Sequence, residues 1–275
     1  MRRDSGSAAV QDPVPDPNPP DEQRWTVGDK VRFVVRGIGE TLVTGGLIIL
    51  LFVVYEVYIT NFFAHREQTH IHTALENQWL NGTDPLLRLP NGALPKLATG
   101  AGIANLYIPR LGRDYAWTIV QGTSDTDLEK GPGHYGGTAL PGKIGNFAVA
   151  GHRVGKGEPF LNLDHLRVGD AVIVETESHW YVYRVKGSGG DLSAKGADGI
   201  PGREVVVPSD SNVLQPVPDH PGQKPTEALM TMTTCHPKFT AAKRMIVYAQ
   251  LYQTVLRQGT TMPTPIAQLY GQVVG

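Results

Sequence analysis

One cysteine, Cys235, stands in TMTTCHPKFTAAKRMIVYA, residues 231–249 of a 275-residue chain. A lone thiol cannot close an intramolecular disulfide, and it cannot build a cysteine-based zinc site alone. Three roles are open to it: a small buried apolar group, a partner in an intermolecular bond, or a nucleophile. As a nucleophile it reacts as thiolate and needs a base, a cation or oriented dipoles close by. His236 is adjacent, but neighbouring side chains on a strand point to opposite faces, so His236 should face away from the thiol. His152 is the better partner. It ends the apolar strand FAVAGH and precedes the glycine-rich RVGKGEP, a position at a strand rim. Arg244 follows the connection PKFTAAK, and an antiparallel neighbour joined in this way starts beside the end of the cysteine strand. Its guanidinium is either a donor to a substrate carbonyl and its developing oxyanion or a surface arginine on an edge strand. Lys243, one position earlier, should face the other side. His134, His165 and His179 read as surface or structural groups. His65, His70 and His72 come too early in the chain to join the site, and the His70-x-His72 pair reads as a solvated polar face ahead of a metal site.

These side chains need elements to hold them. IANLYIPRL, DYAWTIVQG, GNFAVAGH, DAVIVETES, HWYVYRVKG, EALMTMTTC and RMIVYAQLY are short, rich in β-branched and aromatic residues, and bounded by Gly, Pro or Asp. With 32 Gly and 21 Pro, the composition favours turns and short strands. A mainly β fold is predicted from about Ile103, a small closed or nearly closed barrel with short helices in its connections, one of them over Phe160–Leu166. Residues 187–225 form a long Gly-, Pro- and Asp-rich connection interrupted by VVV at 205–207, a length often tied to function. Ahead of the barrel, Ile71, Leu75 and Trp79 recur at helical spacing and predict a short helical stalk, followed by a turn-rich linker over 81–102.

Residues 41–63, TLVTGGLIILLFVVYEVYITNFF, reach the ~20 residues that cross a bilayer when the apolar run continues past Glu56, with Tyr55 and Tyr58 at the interface. The 40 residues before it are too long for the n-region of a signal peptide. Lys30, Arg32 and Arg36 precede the segment and Arg66 follows it, so the positive-inside rule puts the N-terminus in the cytoplasm and the barrel outside. There a free thiol risks unwanted pairing, which weakens the inert reading of Cys235. QDPVPDPNPP predicts a disordered tail. A net charge of −1 without a basic stripe gives no reason to expect nucleic acid.

TMTTC resembles the TLxTC signature of sortases, with Met232 where leucine is usual. GNFAVAGHR is similar to the sortase histidine motif, RMIVYAQL to the strand carrying the sortase arginine, and VVVPSDSNVLQPVP to the segment before the cysteine strand. The resemblance covers roughly residues 103–254 and is strongest to class E. It implies an eight-stranded sortase-type β-barrel behind one transmembrane helix. The division is then a cytoplasmic tail and basic juxtamembrane segment at 1–36, the membrane helix at 37–63, an extracellular stalk and linker at 64–102, the catalytic barrel at 103–254 and a tail at 255–275. The activity implied is a cell-surface cysteine transpeptidase acting on LAxTG or LPxTG sorting signals, through a thioester, with a lipid-linked peptidoglycan precursor or another amine as acceptor. Cys235 is the implied nucleophile, His152 the general acid and base, and Arg244 the oxyanion and backbone donor. Thr234 is an implied substrate or oxyanion contact. Tyr135 is the implied partner of the amide that Ala has and Pro lacks, or a rim-packing tyrosine. LPKLATG at 94–100 lacks the x position of a sorting signal and reads as linker. No metal and no cofactor are expected. The rival readings are a hydrolytic cysteine peptidase and a non-catalytic binding module. A papain-like enzyme would carry Cys before His, the reverse of the order here.

Overall fold

The computed structural model describes residues 26–55, 60–87 and 97–271. The Pro-rich tail, the interfacial Glu56 and Tyr58, and the first three residues of LPKLATG lie outside them. The chain divides into two units, 1–51 and 52–275.

The first unit is dominated by α1, Val27–Val54. Its 28 residues span about 42 Å at 1.5 Å each, more than the ~30 Å of a bilayer's hydrocarbon. No residue of α1 is buried, and among the described residues it is the helix long and apolar enough to cross a membrane. It does not begin at 37, where the apolar pattern begins. Thr26 and Asp29 cap it reciprocally, with Asp29 N to Thr26 Oγ1 at 3.2 Å and Thr26 N to Asp29 Oδ2 at 3.1 Å. An Arg36–Glu40 pair at 2.7 Å then carries the basic turns into the apolar run. Among the described residues α1 ends at Val54, and a second helix, α2, starts at Thr60.

In the second unit, β1 (Gly102–Tyr107), β2 (Ala116–Gln121), β3 (Gly133–His134), β4 (Gly145–Ala150), β5 (Ala171–Glu175), β6 (His179–Val185), β7 (Arg203–Val206), β8 (Ala228–His236) and β9 (Lys243–Leu256) make one sheet. Its order is β6-β5-β1-β2-β3-β4-β8-β9-β7, and an added β6–β9 pairing closes the first eight into a barrel. The length of β9 makes this possible. One edge pairs with β8 over 243–250; the other takes β7 over 244–247 and β6 over 249–256. Inward positions follow the period of two: Phe147 and Val149 on β4, Met230 and Met232 on β8, Met245, Val247 and Ala249 on β9, all in one core with Phe160 and Tyr183.

Three elements depart from the sequence reading. The helix predicted as a stalk exists, as α2 (Thr60–Leu80), but it packs on β1 and β2. Ala64, Gln68, Leu75 and Trp79 form its buried stripe, and Gln68 accepts from Thr118 N at 2.7 Å and donates to Thr118 O at 3.0 Å. The expected tail at 255–275 instead completes β9 and forms α4 (Thr264–Gly271), whose Ile266 and Leu269 cover Ile173, Trp180 and Val182 on the outer face of β5 and β6. Two short elements had no sequence signal: β3, only two residues long, and α3 (Asp125–Leu128), a single turn closed by a Ser124–Asp127 capping box.

His134, on β3, is a structural histidine, 2% exposed and 5.2 Å from the Phe147 ring. Its Nε2 lies 3.1 Å from Ala139 O and its Nδ1 2.8 Å from the Gln121 side-chain amide. Burial pushes its pKa down from 6.5 to about 4, so the folded chain holds it neutral. Between those values the unfolded chain binds the extra proton, so stability is lost as pH falls from about 6.5 to about 4. The loss expected from this residue is on the order of 3 kcal/mol. Denaturant titrations of the full chain at pH 7 and pH 4.5 should show it, and His134→Gln should flatten the pH dependence.

Candidate active site

Outward positions on β4, β8 and β9 gather the site. Cys235 lies opposite Arg244 across the antiparallel β8–β9 pair, with Thr233 opposite Ile246. Directly opposed residues share a face, so thiol and guanidinium leave the barrel on the same side. On the other edge, β4 runs parallel to β8 with Ala150 beside Thr233. Gly151 N then donates to Thr233 O at 3.0 Å, and the pairing ends there, with His152 the next residue on one chain segment and Cys235 two residues on along β8. Histidine, cysteine and arginine thus come from three adjacent strands at one end of the barrel.

Local sequence explains why the chain turns here. A Cβ on Gly151 would sit 2.5 Å from the Phe160 ring, so only glycine fits between Ala150 and His152. The loop then runs through four consecutive positive φ values, 71°, 51°, 80° and 45° at Gly155, Lys156, Gly157 and Glu158. Lys156 pairs with Glu129 at 2.8 Å, and Gly157 lies against Trp117 and Ala64, so α2 backs the histidine loop.

His152 is half-buried, and its Nε2 is enclosed without a hydrogen-bond partner among the described residues. Burial, and then Lys156, hold its pKa below the usual histidine value, with Asp125 and Glu129 opposing. Neutral imidazole is therefore the majority form near pH 7. Cys235 is half-buried and free. Arg244 Nη1 donates to Ala241 O and Lys243 O, both at 3.1 Å, and the guanidinium has no carboxylate partner among the described residues. His236 faces away from the thiol, as strand alternation requires, and its Nδ1 takes a bond from Arg153 at 2.9 Å.

Two expected contacts come out differently. Thr234 is 2% exposed, and its hydroxyl donates to Gly151 O at 2.8 Å. Its alternation puts it inside the barrel, so its side chain fastens β8 to the histidine turn and does not reach a substrate. Thr233 is the threonine on the cysteine face. Its Oγ1 lies 3.0 Å from the Tyr135 hydroxyl, which places Tyr135 on the wall next to Cys235. Counting back two residues from Cys235 would have found Thr233. Among the described residues no three His, Cys, Asp or Glu side chains gather as metal ligands.

A closed barrel with a cysteine strand flanked by histidine and arginine strands defines the class. The Sortase domain family model matches residues 106–252, and the chain belongs to that family, whose members are cysteine transpeptidases. Within the family it is of the class E type. It is 37% identical over 225 residues to Sortase SrtE1 of Streptomyces coelicolor, covering 79% of this chain and 57% of that protein, so it spans little more than half of that relative's length. The solved SrtF sortase of Corynebacterium diphtheriae superposes with a TM-score of 0.56 at 39% identity, over 66% of this chain and 98% of that one. Sortase E1 of S. coelicolor, solved with a tripeptide in its active site, gives 0.51 at 34% identity, over 62% of this chain and all (100%) of that one.

Proposed function

We propose that this chain is a membrane-anchored transpeptidase that cleaves a C-terminal LAxTG or LPxTG sorting signal between Thr and Gly and joins the upstream protein to an amine of the cell-wall precursor. What supports the reading is the strand register: Arg244 lies opposite Cys235 across β8–β9, and the β4–β8 pairing runs to Ala150 and Thr233, two residues before His152 and Cys235.

In the first step the Cys235 thiolate attacks the Thr carbonyl, and the oxyanion that forms is met by Arg244 donors. The C–N bond breaks as protonated His152 gives its proton to the leaving Gly amine, leaving a Thr thioester on Sγ. An incoming amine then attacks the thioester; His152 takes its proton, and the thiolate leaves. Because burial holds His152 below the usual histidine range, the imidazolium that the first step needs is a minority form at neutral pH.

Tyr135 gives the signal its preference. Its hydroxyl lies 3.0 Å from Thr233 Oγ1, and whichever of the two donates, the phenol oxygen keeps a lone pair for the N–H that Ala provides and Pro does not. The amine acceptor is lipid-linked, and α1 holds the barrel at the outer membrane surface, its Lys30, Arg32 and Arg36 end in the cytoplasm.

The test is the full chain in detergent with LAxTG or LPxTG peptides and a glycine-amide acceptor, products read by mass spectrometry. Amide-ligated product, with LAxTG turned over several-fold faster than LPxTG, is the expected result. Tyr135→Phe should reduce that preference to near unity, at a cost of roughly 1 kcal/mol for one hydrogen bond. Hydrolysed peptide alone, undiminished by the acceptor, would refute transfer.

A further inference from the structure

Arg153 follows His152 directly, yet its side chain is only 4% exposed, and the chemistry above makes no use of it. Its Nη1 donates to the backbone carbonyl of Cys235 at 3.3 Å and to His236 Nδ1 at 2.9 Å. Its Nη2 lies 3.1 Å from Asp164 Oδ2. Asp164 belongs to the helical turn Leu163–His165, rooted in the core by Leu163. A guanidinium this deep needs its charge matched, and Asp164 supplies the match, while Arg153 Nε and Asp164 Oδ1 are enclosed without a hydrogen-bond partner among the described residues.

The place where it binds is the end of a ladder. The β4–β8 pairing stops at Ala150 and Thr233, and Gly151 N makes one further bond to Thr233 O. Cys235 O points the same way as Thr233 O, two residues on, where β4 no longer runs alongside. The next rung is made by the Arg153 side chain. One residue therefore ties the backbone of the histidine loop to the backbone of the nucleophile, and Asp164 fixes the guanidinium from behind.

We propose that Arg153 is the positioning residue of this site: its buried fork sets the separation of His152 and Cys235 by clamping the Cys235 carbonyl and His236 against Asp164. The inference rests on the cysteine-transferase reading for its kinetic consequence, although the clamp has an effect on the thiol that needs no turnover. Lysine cannot replace it, since one ammonium on a flexible stem does not offer a planar fork to three acceptors on two segments. A displacement of about 1 Å between reacting groups can cost 10²-fold in rate.

The experiment compares wild type, Arg153→Lys and His152→Gln as full chains in detergent. Arg153→Lys should lower kcat about 10- to 100-fold with KM within about two-fold of wild type, because Arg153 contacts the Cys235 carbonyl and His236 and not the face that carries the thiol. A second readout is independent of turnover: the rate at which iodoacetamide alkylates Cys235 at fixed pH. That rate should fall in His152→Gln, and Arg153→Lys should reproduce most of the fall. A wild-type chain without transfer product would overturn the proposed function and leave the alkylation comparison to decide on Arg153. Alkylation and kcat both at the wild-type level in folded Arg153→Lys would overturn the clamp. Should that variant not fold, Asp164→Asn decides: several-fold decreases in both rates support the clamp, and unchanged rates refute it.

Discussion

Cys235→Ala should form no thioester and no transfer product, a loss of roughly 10³-fold or more, because the only thiol in the chain is the proposed nucleophile. The check is mass spectrometry of the intact full chain after incubation with a sorting-signal peptide. Wild type should gain the mass of the acyl group, and the variant should gain none. His152→Gln should fall comparably, since the leaving amine then has no acid and the acceptor no base. His236→Gln is the informative contrast. Histidine adjacent to cysteine in sequence invites a catalytic assignment, but His236 is bonded to Arg153 on the far side of the strand. Glutamine retains an acceptor for that bond, so the decrease should be no more than several-fold. Transfer product surviving Cys235→Ala, or a loss in His236→Gln as deep as in His152→Gln, would overturn the assignment.

The second large effect is on stability. Trp79→Ala should destabilise the second unit by about 3–5 kcal/mol. Trp79 is 4% exposed, and the Arg257 guanidinium lies 4.7 Å from its ring centroid. Arg257 also pairs with Glu175 at 2.8 Å and Glu76 at 3.2 Å, so the tryptophan sits at the centre of a network joining α2, β5 and the residue after β9. Removing the ring leaves a cavity and uncovers that buried network. Denaturant unfolding of the full chain, followed by the fluorescence of the remaining tryptophans, measures it. Truncation after Leu80 should cost more than the single substitution, because it also removes Leu75 and the Gln68 bonds to Thr118. A midpoint unchanged in Trp79→Ala would mean that α2 is the detachable stalk its sequence suggests.

The strands were legible because they rest on short-range pattern. Seven strands follow from β-branched and aromatic runs between turn residues. Alternation turns His236 away from the thiol, the end of an apolar strand before a Gly-rich loop singles out His152, and the length of one connection sets Arg244 opposite Cys235. What escaped depends on partners distant in sequence. Ile71, Leu75 and Trp79 announce a helix, but not the β1–β2 surface that receives it. α4 carries its apolar residues within a single short element, and its target on β5 and β6 exists only once the barrel forms. β3 is too short to show a period. Thr234 was misplaced because adjacency to the nucleophile was given more weight than the alternation that excluded His236. Arg153 has a meaning only beside the Cys235 carbonyl, which its own neighbourhood in sequence does not contain.

The parallel pairing of β4 with β8 has a consequence for how the molecule is made. Adjacent strands such as β5–β6 and β8–β9 can form early from local chain, whereas β4 waits for β8 until all of β5, β6 and β7 lie between them in the chain. Contacts of such long sequence separation close slowly, since the entropy of the loop is spent before the pairing returns anything. The β4–β8 seam ends two residues short of His152 and Cys235. On the proposed mechanism, a chain whose barrel is still open has a thiol without its imidazole, and transfer waits for the last long-range seam to be sealed.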